Sequence, residues 1–241
     1  MFRKSGNGRK RESENRQPAM EGLEPRVLLS GNVHVVVVAG VLNITGDGLD
    51  NGIQIEQGAG PGQFAITSVG LPATTIDTGS VSGVTGNIVV QMGDGNDVVN
   101  LFNSVCPKNV AIDGGAGANT TTLSGQTVKG GLTITNGAGN DKVKVGGVVL
   151  GGVSIDDGDG DNSASVTASV GAGLTVVNGN AAVNPNLTAL DTADIRGVTR
   201  ITNGNGGSTV TATNALCRPL AARLRPVESR GGGHLLARRH R

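Results

Sequence analysis

A glycine-rich turn returns every 21–22 residues through the middle of this 241-residue chain. Aligned on one glycine, the turns read Gly93-Asp94-Gly95-Asn96-Asp97, Gly115-Ala116-Gly117-Ala118-Asn119, Gly137-Ala138-Gly139-Asn140-Asp141 and Gly158-Asp159-Gly160-Asp161-Asn162. Weaker turns follow at Gly179 and Gly204. A repeat of this length describes one supersecondary unit that must stack on its neighbours to bury anything.

The residues around each turn have a fixed phase. Five and three positions before the reference glycine stand Ile88/Val90, Val110/Ile112, Leu132/Ile134, Val153/Ile155 and Leu174/Val176. Six and eight positions after it stand Val99/Leu101, Thr121/Leu123, Val143/Val145, Ala164/Val166 and, after Gly204, Val210/Ala212. Apolar residues two apart mark strands buried on one face. Each repeat is therefore expected to be strand, Gly-Asx turn, strand, and a second bend such as Gly130-Gly131 or Gly151-Gly152. Stacked at the strand spacing of about 4.8 Å, such units give an all-β, parallel β-solenoid of six or seven coils. A β-sandwich of hairpins is the competing fold, because Gly-Asn and Gly-Asp turns also close two-residue hairpins. A sandwich does not require the constant phase. The turn at Gly46-Asp47-Gly48-Leu49-Asp50 precedes Gly93 by 47 residues, a gap equal to two coils with Phe64-Ala65-Ile66 as the intervening strand.

Composition narrows the class further. Glycine supplies 41 residues, and the aromatics are three Phe with no Tyr or Trp, so the core must be thin. The net charge of +1 hides three zones. Residues 1–31 hold seven Lys/Arg and four Glu, residues 32–216 hold six basic and fourteen acidic residues, and residues 217–241 hold seven Arg and one Glu. The expected layout is a disordered basic segment (1–31), an acidic solenoid (32–216) and a basic tail (217–241). The tail loses the strand alternation and gains Arg, Pro and His, which reads as a frame that ends near residue 216. A basic tail for anionic polymers or membranes is the alternative. Cys106 and Cys217 are too few for a disulfide framework and are expected as free thiols. No run of 18 apolar residues predicts a transmembrane helix. The short apolar run Val33-His34-Val35-Val36-Val37-Val38-Ala39 reads as the first solenoid strand rather than as a secretory core.

Near the start, Leu23-Glu24-Pro25-Arg26 and Leu28-Leu29 follow a basic run. This resembles the LEPR-XLL motif found near the N-terminus of large exported or cell-surface proteins of planctomycete-type bacteria. The resemblance covers about ten residues and implies export and an envelope, surface or extracellular location, often with repetitive β-rich regions behind the motif.

The turns also resemble the RTX, or haemolysin-type, calcium repeat, most closely at Gly93-Asp94-Gly95-Asn96-Asp97-Val98-Val99 and Gly137-Ala138-Gly139-Asn140-Asp141-Lys142-Val143. That resemblance implies oxygen ligands from Asp and from turn carbonyls, the donors a hard cation takes. Two departures stand against it. Met92 and Asn136 replace the first glycine, and the family repeats every nine residues, whereas here one turn falls in each 21–22. The candidate calcium ligands are Asp97, Asp141, Asp156, Asp157, Asp159 and Asp161. The last four begin like an EF-hand loop, but Asn162 and Ala168 occupy its glycine and glutamate positions, so that motif is rejected. The column Asp97, Asn119, Asp141, Asn162 has a plainer explanation as a hydrogen-bonded Asx ladder with half the charge of an all-Asp stack.

Catalysis has little to build on. Polysaccharide-acting β-helix enzymes use paired carboxylates or Arg/Lys beside a sugar groove, commonly with aromatic platforms. This chain has no Tyr or Trp; His34 falls in a strand, and His234 and His240 fall in the tail. Lys142 and Lys144 beside Asp141 read as a solvated pair. The basic ends lack the aromatic interleaving of nucleic-acid binders. The expected function is a non-enzymatic structural or adhesive segment of an exported protein, with envelope proteins or surface polysaccharide as partners. The alternatives are a calcium-binding RTX-like repeat and, more remotely, a polysaccharide-acting enzyme.

Overall fold

The computed structural model describes residues 31–70 and 73–217, together with the backbone of two further strands, Leu220–Leu224 and His234–Ala237. The basic segment expected over residues 1–31 lies outside the described residues except for Gly31, as do residues 218–219, 225–233 and 238–241 of the tail.

Every described element is a strand, and the strands form three sheets of ten, ten and six. One coil shows the pattern. Val110–Gly115 runs along the first side, the Gly-Asx turn follows, Thr120–Ser124 runs along the second, and Thr127–Val128 forms a short third. Each then pairs in parallel with its counterpart one coil on: Val110 with Leu132, Thr121 with Val143, Val128 with Val149. The fold is a parallel β-solenoid, and six coils have all three sides. The register repeats every 21 or 22 residues from Ile88 to Leu174, then widens so that Leu174 pairs with Thr199. Leu220–Leu224 and His234–Ala237 extend the two long ladders by one further rung.

The apolar pairs picked out by phase form the core. Ile88, Val90, Ile112, Ile134, Ile155 and Val176 line the first side, and Val99, Leu101, Leu123, Val145 and Val166 face them from the second. None of these side chains is more than 2% exposed. Burial on one face of two facing ladders lets Val, Ile and Leu make most of this core, with Phe64 of the first coils buried as well.

Two expectations need correcting. The second bend of each coil is not a plain bend but a third sheet of two-residue strands, from Val105–Cys106 to Leu216–Cys217. Its inward residues are Cys106, Val128, Val149, Val170, Ile195 and Cys217, and two residues are too few to show a period in the sequence. The second correction concerns the 47-residue gap before Gly93, which is not two coils. The coil Val41–Thr45 and Gly52–Gln57 pairs directly with Ile88–Gln91 and Val98–Phe102. Phe64–Ser68 is a strand, as expected, but it folds back antiparallel on Gly52–Gln57, while Asn32–Val38 does the same on Val41–Thr45. These two hairpins close the first rung, whose free N–H and C=O groups would otherwise template association with another chain. Asp77 fastens the cap: one carboxylate oxygen accepts from the Val35 amide at 2.9 Å and the other pairs with the His34 ring, which holds its carboxyl below the usual range.

Cys106 and Cys217 stand in one inward column five rungs apart, roughly 24 Å at the strand spacing. They are free thiols. Cys106 is fully buried, and desolvation pushes its thiol up to about 12, while Cys217 is half-buried. In native protein a water-soluble disulfide reagent is therefore expected to titrate Cys217 alone, with Cys106 reacting only after denaturant is added.

Candidate functional site

The densest polar feature of the molecule runs up the inside of the Gly-Asx turns. Asn51, Asp97, Asn119, Asp141, Asn162 and Asn186 are all buried and stack one per coil. From Asp97 onward, each side chain accepts from the backbone amide of the preceding member, while Asn51 Oδ1 at the start has no partner. Asp97 Oδ1 accepts from Asn51 N at 2.7 Å, Asn119 Oδ1 from Asp97 N at 3.0 Å, Asp141 Oδ1 from Asn119 N at 2.8 Å and Asn162 Oδ1 from Asp141 N at 2.9 Å. Asn186 completes the run, accepting from Asn162 N at 2.8 Å. The second side-chain atom points into its own turn. Asn119 Nδ2 donates to the carbonyls of Gly115 and Gly117 at 3.0 and 3.2 Å, and Asn162 Nδ2 to those of Asp157 and Gly158 at 3.0 and 2.9 Å.

At Asp97 and Asp141 that second atom is Oδ2, and it is buried without a partner. Desolvation dominates both carboxyls. It pushes Asp97 up to about 7, against the opposing Asn51 amide bond, and Asp141 up to about 6. Register gives each Oδ2 the position from which the Asn119 and Asn162 amides donate to two carbonyls of their own turns.

A second interior column follows the ends of the first-side strands: Asn136, Asp157, Asn178 and Asn203, all buried. Asn136 occupies the position where the calcium repeat carries its first glycine, and Met92, at the same place in its own turn, is buried as well. Asn136 Nδ2 donates to Asp157 Oδ1 at 3.0 Å, and Asn178 Nδ2 donates to Asn203 Oδ1 at 2.6 Å. Asp157 is fully buried, and desolvation pushes its carboxyl up to about 7.

The six candidate ligands therefore divide. Asp97, Asp141 and Asp157 point inward, while Asp156 and Asp159 are exposed and Asp161 half-buried. Asp156 Oδ1 accepts from Gly158 N at 3.3 Å within its own turn. Asp159 Oδ1 accepts from Asn180 N at 2.6 Å, and Asp161 Oδ1 from Ala182 N and Val183 N, both at 2.8 Å, each tying one coil to the next. Those bonds hold the Asp161 carboxyl below its ordinary range. Among the described residues, no three His, Cys, Asp or Glu side chains gather in a geometry suited to a metal ion.

Sequence reasoning missed the column of Asn136, Asn178 and Asn203, although each is followed by glycine at the start of its turn, as Asp157 is. That shared dipeptide was the available signal. A cleft of about 630 Å³ lies beside the capping hairpin between Gly58–Gly62, Gly83–Thr85 and Val105, Pro107 and Lys129. Its Gln57 amide is already spent, accepting from Val105 N at 3.0 Å and donating to Gly60 O at 2.7 Å. No helix among the described residues is long and apolar enough to cross a membrane. No family model, curated protein or solved structure matches this chain.

Proposed function

We propose that this chain is a non-enzymatic structural or adhesive solenoid segment of an exported or cell-surface bacterial protein. One observation carries the reading: the polar side chains at the turns are used to fasten coil to coil. The inner Asx ladder, the Asn136–Asn203 column and the outer bonds of Asp159 and Asp161 all serve that end. A site built for chemistry leaves reactive groups converging on an open cavity. Here the buried acids lie within the wall, and the cleft beside the cap brings Lys129 to a surface of Gly, Ala, Pro and Val with Gln57 and Thr85. The LEPR-XLL resemblance at Leu23–Leu29 supplies the export part of the reading, with envelope proteins or surface polysaccharide as partners.

The test is topological. The full chain, epitope-tagged within the exposed Asn180–Asn184 loop and expressed in a planctomycete host, is expected to lose the tag when intact cells meet external protease. A tag protected until lysis overturns the surface assignment. Turnover of any member of a polysaccharide panel overturns the non-enzymatic one.

A further inference from the structure

With its amides oriented as they stand, the interior Asn column has a polarity that is one proton short. Read along the solenoid, each amide nitrogen donates to the side-chain oxygen one coil on: Asn136 to Asp157, and Asn178 to Asn203. A one-way chain of this kind must leave one free oxygen at its start and one free nitrogen at its end. Those are the unpartnered Asn136 Oδ1 and Asn203 Nδ2. The two remaining unpartnered atoms, Asp157 Oδ2 and Asn178 Oδ1, lie at the one break. They belong to adjacent rungs, since Asp156 pairs with Val177. Both are acceptors. A single hydrogen on Asp157 Oδ2 turns one of them into a donor and closes the chain. The same deficit recurs at Asp97 and Asp141, where a bare oxygen takes the place of the Asn119 and Asn162 amides.

We propose that Asp97, Asp141 and Asp157 are neutral carboxylic acids in the folded protein, each standing in for an asparagine amide through a proton on Oδ2. The solenoid is then fastened by three protons and loosens when they leave.

The surroundings agree. Each of the three side chains is at most 1% exposed. The charged groups acting on them are themselves carboxylates, Asp47 and Asp50 on Asp97, and Asp141 and Asp156 on Asp157. Lys142 and Lys144, on the strand after Asp141, point out to solvent. Burial beside like charge raises a carboxyl's affinity for its proton. In the unfolded chain these groups ionise near pH 4. As pH rises from there to the folded values of about 6 to 7, the unfolded state has released its protons and the folded state still holds them. Stability therefore falls across that window as pH rises, and the fall is complete above it. Each unit of raised pKa costs about tenfold in the folding equilibrium.

Urea unfolding of the full chain at pH 4 to 8.5 tests this, using the native sequence and the variants Asp97→Asn, Asp141→Asn, Asp157→Asn and their combination. Asparagine is tolerated at the equivalent rungs, so these variants are expected to fold. The native chain should lose stability steadily as pH rises. Asp157→Asn alone should remove a hundred- to a thousandfold of that change in the folding equilibrium and be the more stable protein at pH 8. The native chain at pH 5 should also show the infrared carbonyl band of protonated carboxyl, reduced in the combined variant. Asn variants that are less stable at pH 8, or that keep the native pH profile, overturn the proposal. So does an absent carboxyl band. A calcium-induced rise in the native midpoint at pH 8 that the combined variant lacks overturns it too, since a cation would then hold those oxygens.

Discussion

Gly160→Val is expected to cost on the order of 4 kcal/mol of folding free energy, read as a lowered urea midpoint, through backbone strain together with overpacking. Gly160 has φ +142°, where a β-branched residue is an outlier. A side chain there would also run into the carbonyl oxygen of Gly139 on the coil below. Neither problem can be relieved locally. That carbonyl belongs to a turn whose neighbouring amide, Gly139 N, donates to Asp159 O at 2.8 Å, so moving it breaks the stack. Gly117 faces the same two constraints, with φ +122° and the Gly95 carbonyl beneath it. The control is Gly48→Ala, where nothing lies within 4 Å of the added carbon, and its midpoint is expected to stay within about 0.5 kcal/mol of the native one.

Asn119→Ala is expected to do comparable damage by a different route. The side chain holds three backbone groups: the Asp97 amide and the carbonyls of Gly115 and Gly117. Alanine leaves the buried Asp97 amide and the Gly117 carbonyl without partners, while the Gly115 carbonyl still accepts from Gly137 N at 2.7 Å. At about 1–3 kcal/mol for each of these two unsatisfied groups, and allowing for partial relaxation, the loss comes to about 3 kcal/mol. Amide hydrogen exchange makes the prediction local. Asp97 N–H should lose its protection in the variant, while the Val143 and Val145 amides on the next strand keep theirs below global unfolding.

The coil was readable because its longest strands obey two rules at once. Leu132 and Ile134 are two apart, as a one-sided strand requires, and each recurs at constant distance from its turn. The same logic located the ladder through Asp97 to Asn162. It failed at the third side because Thr127–Val128 has no period to detect. It failed at the first coil because parallel and antiparallel strands carry the same alternation. Phe64-Ala65-Ile66 has the pattern of a strand, and only its pairing with Gly52–Gln57 shows that it turns back. For the acids, sequence gave proximity but not direction. Asp156 and Asp157 are neighbours in the chain, yet the pleat sends one to solvent and the other into the core.

Rung spacing has a mechanical consequence. About 22 residues advance the solenoid by one strand spacing, roughly 4.8 Å, whereas the same residues pulled straight reach roughly 75 Å. Each coil is thus a folded reserve of length some fifteen times its own height. Under tension along the axis, the ladders would be peeled one coil at a time rather than sheared together, because each coil is held chiefly by its two neighbours. A solenoid of this kind behaves as a short, stiff post until a threshold force is met, and beyond it as a long tether that yields in equal steps.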